Sequence, residues 1–148
     1  MNIIELLKKD HEEALQLFDK LESMEEGKSS DIDKLFSNLS QELEIHMSGE
    51  ESIFYPALKD NDETHTMILE GIEEHHVAKL ILKEMSSLKS KDEKWFAKLS
   101  VLKENVEHHI EEEEGDLFTK AQNLLESSQL DTMGSEMESM KKEQMASA

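Results

Sequence analysis

Four histidines and two glutamates recur in one order along this chain. His11 is followed 35 residues later by His46, with Glu50 beyond it, and His75 is followed 34 residues later by His109, with Glu113 beyond it. Each glutamate stands four residues after its histidine. On a helix that spacing puts both side chains on one face, with Cβ atoms about 5–6 Å apart. An imidazole and a carboxylate can then aim at one point, and two such pairs plus two single histidines form a ligand set for two metal ions. Imidazole and carboxylate without thiolate suit iron, manganese or zinc, whereas magnesium and calcium take all-oxygen sites. All six residues lie on the apolar stripes of their segments, with no lysine or arginine on those stripes between them. A buried carboxylate without a partner is costly, so two glutamates at matching interior positions call for cations. With both glutamates bridging and one oxo or hydroxo bridge added, about one octahedral position per metal stays open to a small molecule.

Three histidines are set aside on the same criterion. His108 and Glu112 repeat the pair spacing, but beside Glu104 and Gly115 on a poorer apolar face, and they read as solvated. His65 falls in a helix entry. His76 has Leu69, Ile72 and Leu80 for apolar neighbours, yet the repeat selects His75, because it aligns with His11 and each is preceded by an acid, Glu74 and Asp10. Those two acids are one residue from a ligand and so off its helix face; no role is assigned to them. Tyr55 and Trp95 read as packing residues, and no separate nucleophile or general base stands out.

The elements that must carry these residues are helical. Apolar side chains recur at helical spacing through Ile4–Leu21, Leu35–Ala57, Ile68–Met85 and Leu99–Leu124. Asn2 with Glu5 and Ser90 with Glu93 have the capping-box pattern, and Ser30 is a candidate cap for the second segment. Gly27-Lys28-Ser29-Ser30 ends the first segment and Asn61-Asp62-Glu63-Thr64 separates the second from the third. Pro56 should kink or loosen the end of the second. Gly49 lies inside a ligand pair, where it costs about 1 kcal/mol against Ala; close packing or simple tolerance would account for it. Short connections between four helices predict an all-α, antiparallel up-down four-helix bundle over residues 1–127. Residues 128–148 form a short C-terminal helix or tail, with Leu130, Met133, Met137 and Met140 on one stripe that could pack on the bundle, bind a protein partner or form a dimer.

Composition bounds the function. The 148 residues are 36% hydrophobic and 34% charged, with one Pro and five Gly, a profile of a helical protein with a real core. A net charge of −19 argues against nucleic acid and anionic membrane as partners. No window approaches the roughly 20 apolar residues of a membrane span, and the N-terminus does not read as a signal peptide. With no cysteine there is no disulfide, thiolate nucleophile or iron–sulfur ligand set. A cytoplasmic setting fits.

The sequence resembles the hemerythrin-like, HHE cation-binding family over roughly residues 1–127. The matching pieces are Asp-His-Glu-Glu at 10–13, Glu-Leu-Glu-Ile-His-Met-Ser-Gly-Glu-Glu at 42–51, Phe-Tyr-Pro-Ala-Leu at 54–58, Glu-Glu-His-His at 73–76 and Val-Glu-His-His-Ile-Glu-Glu-Glu-Glu at 106–114. The resemblance implies a non-haem di-iron centre, two iron ions held by His11, His46, Glu50, His75, His109 and Glu113, with Glu50 and Glu113 as bridges. Oxygen-carrying hemerythrins are similar but use a His-x-x-x-His on the third helix, where this chain has Lys79 four residues after His75. They also use an Asp five residues after the histidine of the fourth helix, where this chain has Glu113 four after His109. The chain therefore resembles the four-His, two-Glu subgroup, which includes iron–sulfur cluster repair proteins and iron-sensing domains. The function this implies is a di-iron protein that binds, senses or reacts with oxygen, nitric oxide or peroxide; the alternative is a non-catalytic iron-binding or iron-sensing module.

Overall fold

The computed structural model describes residues 1–26 and 29–147. Helices α1 (Ile3–Glu22), α2 (Ser29–Gly49), α3 (His65–Ser87) and α4 (Glu93–Glu112) form the expected antiparallel up-down bundle, and no strand occurs among the described residues. Helix α5 (Phe118–Leu124) continues α4, and α6 (Ser127–Ser147) packs on α1 and α2. The chain's amphipathic stripes face one another across the hairpins α1–α2 and α3–α4 and across the α1–α4 contact. No helix among the described residues is long and apolar enough to cross a membrane.

The start of α1 follows the sequence. The Asn2 side chain accepts from the Glu5 N–H at 2.9 Å, and the Glu5 carboxylate accepts from the Asn2 N–H at 3.1 Å. The start of α4 does not follow it. The Ser90–Glu93 box gives way to Asp92, whose Oδ1 accepts from the backbone N–H of both Lys94 and Trp95. Ionised Asp is as strong a cap as Ser and stands nearer the apolar run. Ser30 lies inside α2, which begins at Ser29. In the break before α2, Gly27-Lys28 lies outside the described residues.

A feature absent from the sequence reading is a π-helical turn at the same place in both halves, Glu50–Phe54 and Glu113–Leu117. Each begins at a repeat glutamate. A π turn inserts one residue into the helical register and swings the side chains around it, and such turns recur at functional sites. After the first, Pro56 sits in a 3-10 turn, Tyr55–Ala57, so the rod tightens and ends there as expected of a residue without an N–H.

The core divides in two. One cluster includes Phe18, Leu21, Leu39, Leu82, Trp95 and Leu102; the other includes Ile3, Leu7, Phe54, Tyr55, Phe118 and Met137. The six repeat residues lie between them on all four helices. Helix α6 completes the second cluster, with Leu130 and Met137 buried and Met133 and Met140 partly so. The methionine stripe is thus packed on the bundle, in a helix of 21 residues. A Cβ on Gly49 would lie 2.1 Å from Met137 Sδ, so close packing against α6 accounts for that glycine. A Cβ on Gly134 would lie 2.2 Å from the Met1 carbonyl oxygen, and backbone cannot yield as a methionine tip can. Gly134→Ala should therefore destabilise the protein by about 1–3 kcal/mol in thermal or urea denaturation. Gly115→Ala, with nothing within 4 Å of the new Cβ, should be neutral or slightly stabilising.

Candidate metal centre

The structure brings all six repeat residues together. Each is buried, from 0% exposure for Glu50 to 7% for His109. The His75 Nε2 lies 2.9 Å from Glu50 Oε1, His46 Nε2 3.3 Å from the same oxygen, and His109 Nε2 3.5 Å from it. Glu113 faces His11 Nε2 at 3.2 Å and His109 Nε2 at 3.3 Å. Donor atoms of His11, His46, Glu50 and Glu113 all lie within 4.8 Å of one another, and so do those of Glu50, His75 and His109. Glu50 belongs to both groups, the position a bridging ligand requires. His65, His76 and His108 are exposed and belong to neither of these donor groups. A partly exposed group of Glu74, His108 and Glu112 lies beside it, with His108 Nε2 paired to Glu112 at 2.8 Å.

Two buried atoms in the cluster, His46 Nε2 and Glu50 Oε2, make no hydrogen bond. Buried polar atoms are nearly always paired. An imidazole nitrogen and a carboxylate oxygen left unpaired within one cluster are donors that a cation would satisfy. On this observation the residues fit a bound metal.

A family model for the hemerythrin HHE cation binding domain matches residues 2–121. The chain belongs to the hemerythrin HHE family. Its HHE domain is a metal-binding module whose fold also matches the crystal structure of a hemerythrin HHE cation binding domain-containing protein from Mycobacterium kansasii. That match has a TM-score of 0.85 and 24% identity, and covers 99% of this chain and 89% of the other. No curated protein matches the sequence.

Around the HHE cluster, four further acids hold the outer nitrogens of the four histidines. Asp10 Oδ2 lies 2.8 Å from His46 Nδ1, Glu51 Oε2 2.7 Å from His75 Nδ1, Glu74 Oε1 2.6 Å from His109 Nδ1, and Glu114 Oε2 2.7 Å from His11 Nδ1. Each acid is adjacent in sequence to one ligand candidate and bonds a histidine on another helix. An acid off the ligand face points to the neighbouring helix, which is where its partner stands. The signal was present: Asp10 pairs with Glu74, and Glu51 with Glu114, at the period of the repeat. An Nδ1–H donated to a carboxylate fixes the tautomer, leaves Nε2 free for metal, and raises its basicity. Asp10→Asn and Glu74→Gln should each weaken metal affinity by about 10–100-fold while leaving the helical content intact. Competition with a coloured chelator and circular dichroism measure the two.

Tyr55 packs in the core and also reaches the centre. Its hydroxyl donates to Glu113 Oε2 at 2.8 Å and lies 3.3 Å from both Glu50 Oε1 and His109 Nε2. Burial, with Glu50 and Glu113 alongside, pushes this phenol well above its ordinary value, so it keeps its proton. The ring stacks on His75, as Phe118 stacks on His11 in the other half. Tyr55 and Phe118 each stand five residues after a repeat glutamate, so one hydroxyl breaks the approximate twofold symmetry. Gly71 makes room for it: a Cβ there would lie 2.9 Å from the Tyr55 hydroxyl oxygen. Tyr55 directly follows the π turn at Glu50–Phe54, which shifts the register there. Trp95 does pack in the core, against Phe36 and Phe96.

The electrostatics follow from burial and this acid-rich surround. Burial pushes the His46 imidazole down, but Glu50 and Asp10 outweigh it and raise it to about 10. His109 rises well above the ordinary histidine range, as Glu113, Glu50 and Glu74 outweigh burial. Glu50 is pushed up by burial but held well below the ordinary carboxylate range by His46 and its hydrogen-bond partners. Asp10 and Glu74 are likewise lowered, each by a histidine partner against the opposing pull of burial.

Proposed function

We propose that His11, His46, Glu50, His75, His109 and Glu113 hold two iron ions, Glu50 and Glu113 bridging, in a protein that binds, senses or reacts with oxygen, nitric oxide or peroxide. The observation that carries this is the convergence of four Nε2 atoms on two buried carboxylates, each histidine secured at Nδ1 by its own acid. Iron is favoured over zinc or manganese by the family resemblance, and all three suit the donor set. Bound iron would supply ligand binding and electron transfer. The protein's own residues hold the donors in place, exclude bulk water with an apolar cluster on either side, and keep a proton on the Tyr55 hydroxyl against Glu113. That O–H lies beside Glu50, Glu113 and His109, where it can donate a hydrogen bond to an anionic ligand without losing its proton.

The position four residues after His75 bears on the choice between carriage and reaction. Lys79 points outward, half-exposed, with its Nζ 3.8 Å from Glu51 Oε2. It offers no further donor, which leaves the centre more open than that of an oxygen carrier. A sensing role has one observation of its own. Lys141 on α6 pairs with Asp10, and Asp10 holds His46, so α6 is linked to the centre through two side chains.

Metal analysis and an optical spectrum test the reading first. Two irons per chain, with oxo-to-iron bands at the ultraviolet edge, support it; a colourless, metal-free protein from iron-replete cells refutes it. Mixing the reduced protein with oxygen, nitric oxide or peroxide then separates the roles. Reversible spectral change shows binding, turnover shows an enzyme, and no response favours iron sensing.

A further inference from the structure

Above the four histidines lies a cavity of about 290 Å³ that a diatomic ligand does not need. The rings of His11, His46, His75 and His109 close its inner end. Its apolar walls are mostly pairs related by the sequence repeat, Ala14 with Ala78, Leu43 with Val106, and Met47 with Ile110, and Asp10, Glu74 and Asn105 also line it. The six paired residues are buried and apolar. The two alanines stand one helical turn beyond His11 and His75, where a larger side chain would fill the space, and both halves keep it open. At the outer end Glu13, Glu42, Lys141, Lys142 and the half-exposed Met145 line the way to solvent between α1, α2 and α6.

We infer that this cavity is a binding chamber for a neutral, apolar organic molecule with one small polar end. An engineered apolar cavity of about 150 Å³ takes benzene, so this volume suits roughly ten to twelve non-hydrogen atoms. Water against the paired apolar walls finds few hydrogen-bond partners there, and an apolar group that displaces it gains affinity. The outer charges select against an anion. Lys141 is engaged by Asp10, and the remaining rim charges are Lys142 against Glu13 and Glu42, in a chain of net charge −19. The polar end can meet the histidine-lined floor, Asn105 or the charged rim; the apolar body has the paired apolar walls. This inference goes beyond the di-iron reading and does not depend on which metal is bound.

Isothermal titration of the metal-loaded protein with primary alkanols from pentanol to dodecanol tests it. One alkanol should bind per chain, with affinity rising about fourfold for each added methylene and levelling off once the chamber is full. Ala78→Leu should bring the levelling point to a shorter alkanol with metal content unchanged. Alkanoates of equal length should bind more weakly than alkanols. Affinity that does not depend on chain length, or that climbs without limit as in surface partitioning, overturns the chamber, and tighter alkanoate binding overturns its neutral ligand class. The wild-type series stands without the variant. Metal content, measured on the same samples, separates failure of the chamber from failure of the metal centre.

Discussion

Glu50→Ala and Glu113→Ala should each strip most of the metal from the protein. Glu50 is fully buried and its Oε1 lies within 3.5 Å of the Nε2 atoms of His46, His75 and His109. Because it belongs to both donor groups, its loss takes a carboxylate from each of them at once. Glu113 reaches His11 and His109 across the other diagonal. Carboxylates one step removed from a metal already cost about 10–100-fold in affinity when lost, so loss of a bridging carboxylate should exceed that. Elemental analysis after dialysis against a weak chelator reads the effect, with His76→Ala and His108→Ala as controls that keep full metal. Both control histidines are exposed. Equal losses at His75 and His76, or full metal in Glu50→Ala, would sink the assignment of ligands.

Chelation should lower the melting temperature, and increasingly so toward alkaline pH. In the metal-free protein His46 titrates near 10 rather than at 6.5, so the folded state binds its proton more tightly than the unfolded chain. That contribution is fully present below about pH 6.5 and is lost as pH rises toward 10. His109 adds to the same trend. Glu50, Asp10 and Glu74 titrate below their ordinary values, so their contribution holds above the usual carboxylate range and is lost on acidification. The metal-free protein should therefore be most stable in mildly acid solution. Metal replaces the histidine protons as the counter-charge, its binding releases them, and its affinity rises with pH. A metal present at about 1,000 times its Kd contributes about 4 kcal/mol, roughly a 10 °C shift in melting temperature for a domain of this size. Melts from pH 5 to pH 10, with and without chelator, measure the difference. A chelated protein whose melting temperature is flat above pH 6.5 would contradict the charge balance described for the cluster.

The fold was legible because helical periodicity and the repeat agree. A stripe that carries apolar residues and ligand candidates together can face only the interior, and two like hairpins close on each other. His75 was separated from His76 by the repeat alone, and the structure buries the first and exposes the second. Where the reading slipped, a competing local signal won. Asp92 outcompeted Ser90 as a cap because it stood closer to the apolar run. Tyr55 packs in the core as expected, and the reach of its hydroxyl into the centre is hidden from the sequence because a π turn has no periodicity of its own in a segment that otherwise reads as an ordinary helix.

By itself, the sequence determined an all-helical duplicated hairpin, the six residues at its centre, and the family to which they belong. Those follow from spacing along single helices, which is local and repeats. The tertiary structure alone decided which acid secures which histidine, that Tyr55 enters the centre on one side only, and that α6 seals the bundle by its methionines. It alone decided that paired alanines leave a cavity above the four histidines. Each of these depends on how far apart two helices stand and how each is turned about its axis. Those quantities are set by the packing of the whole bundle, which no single stretch of residues encodes.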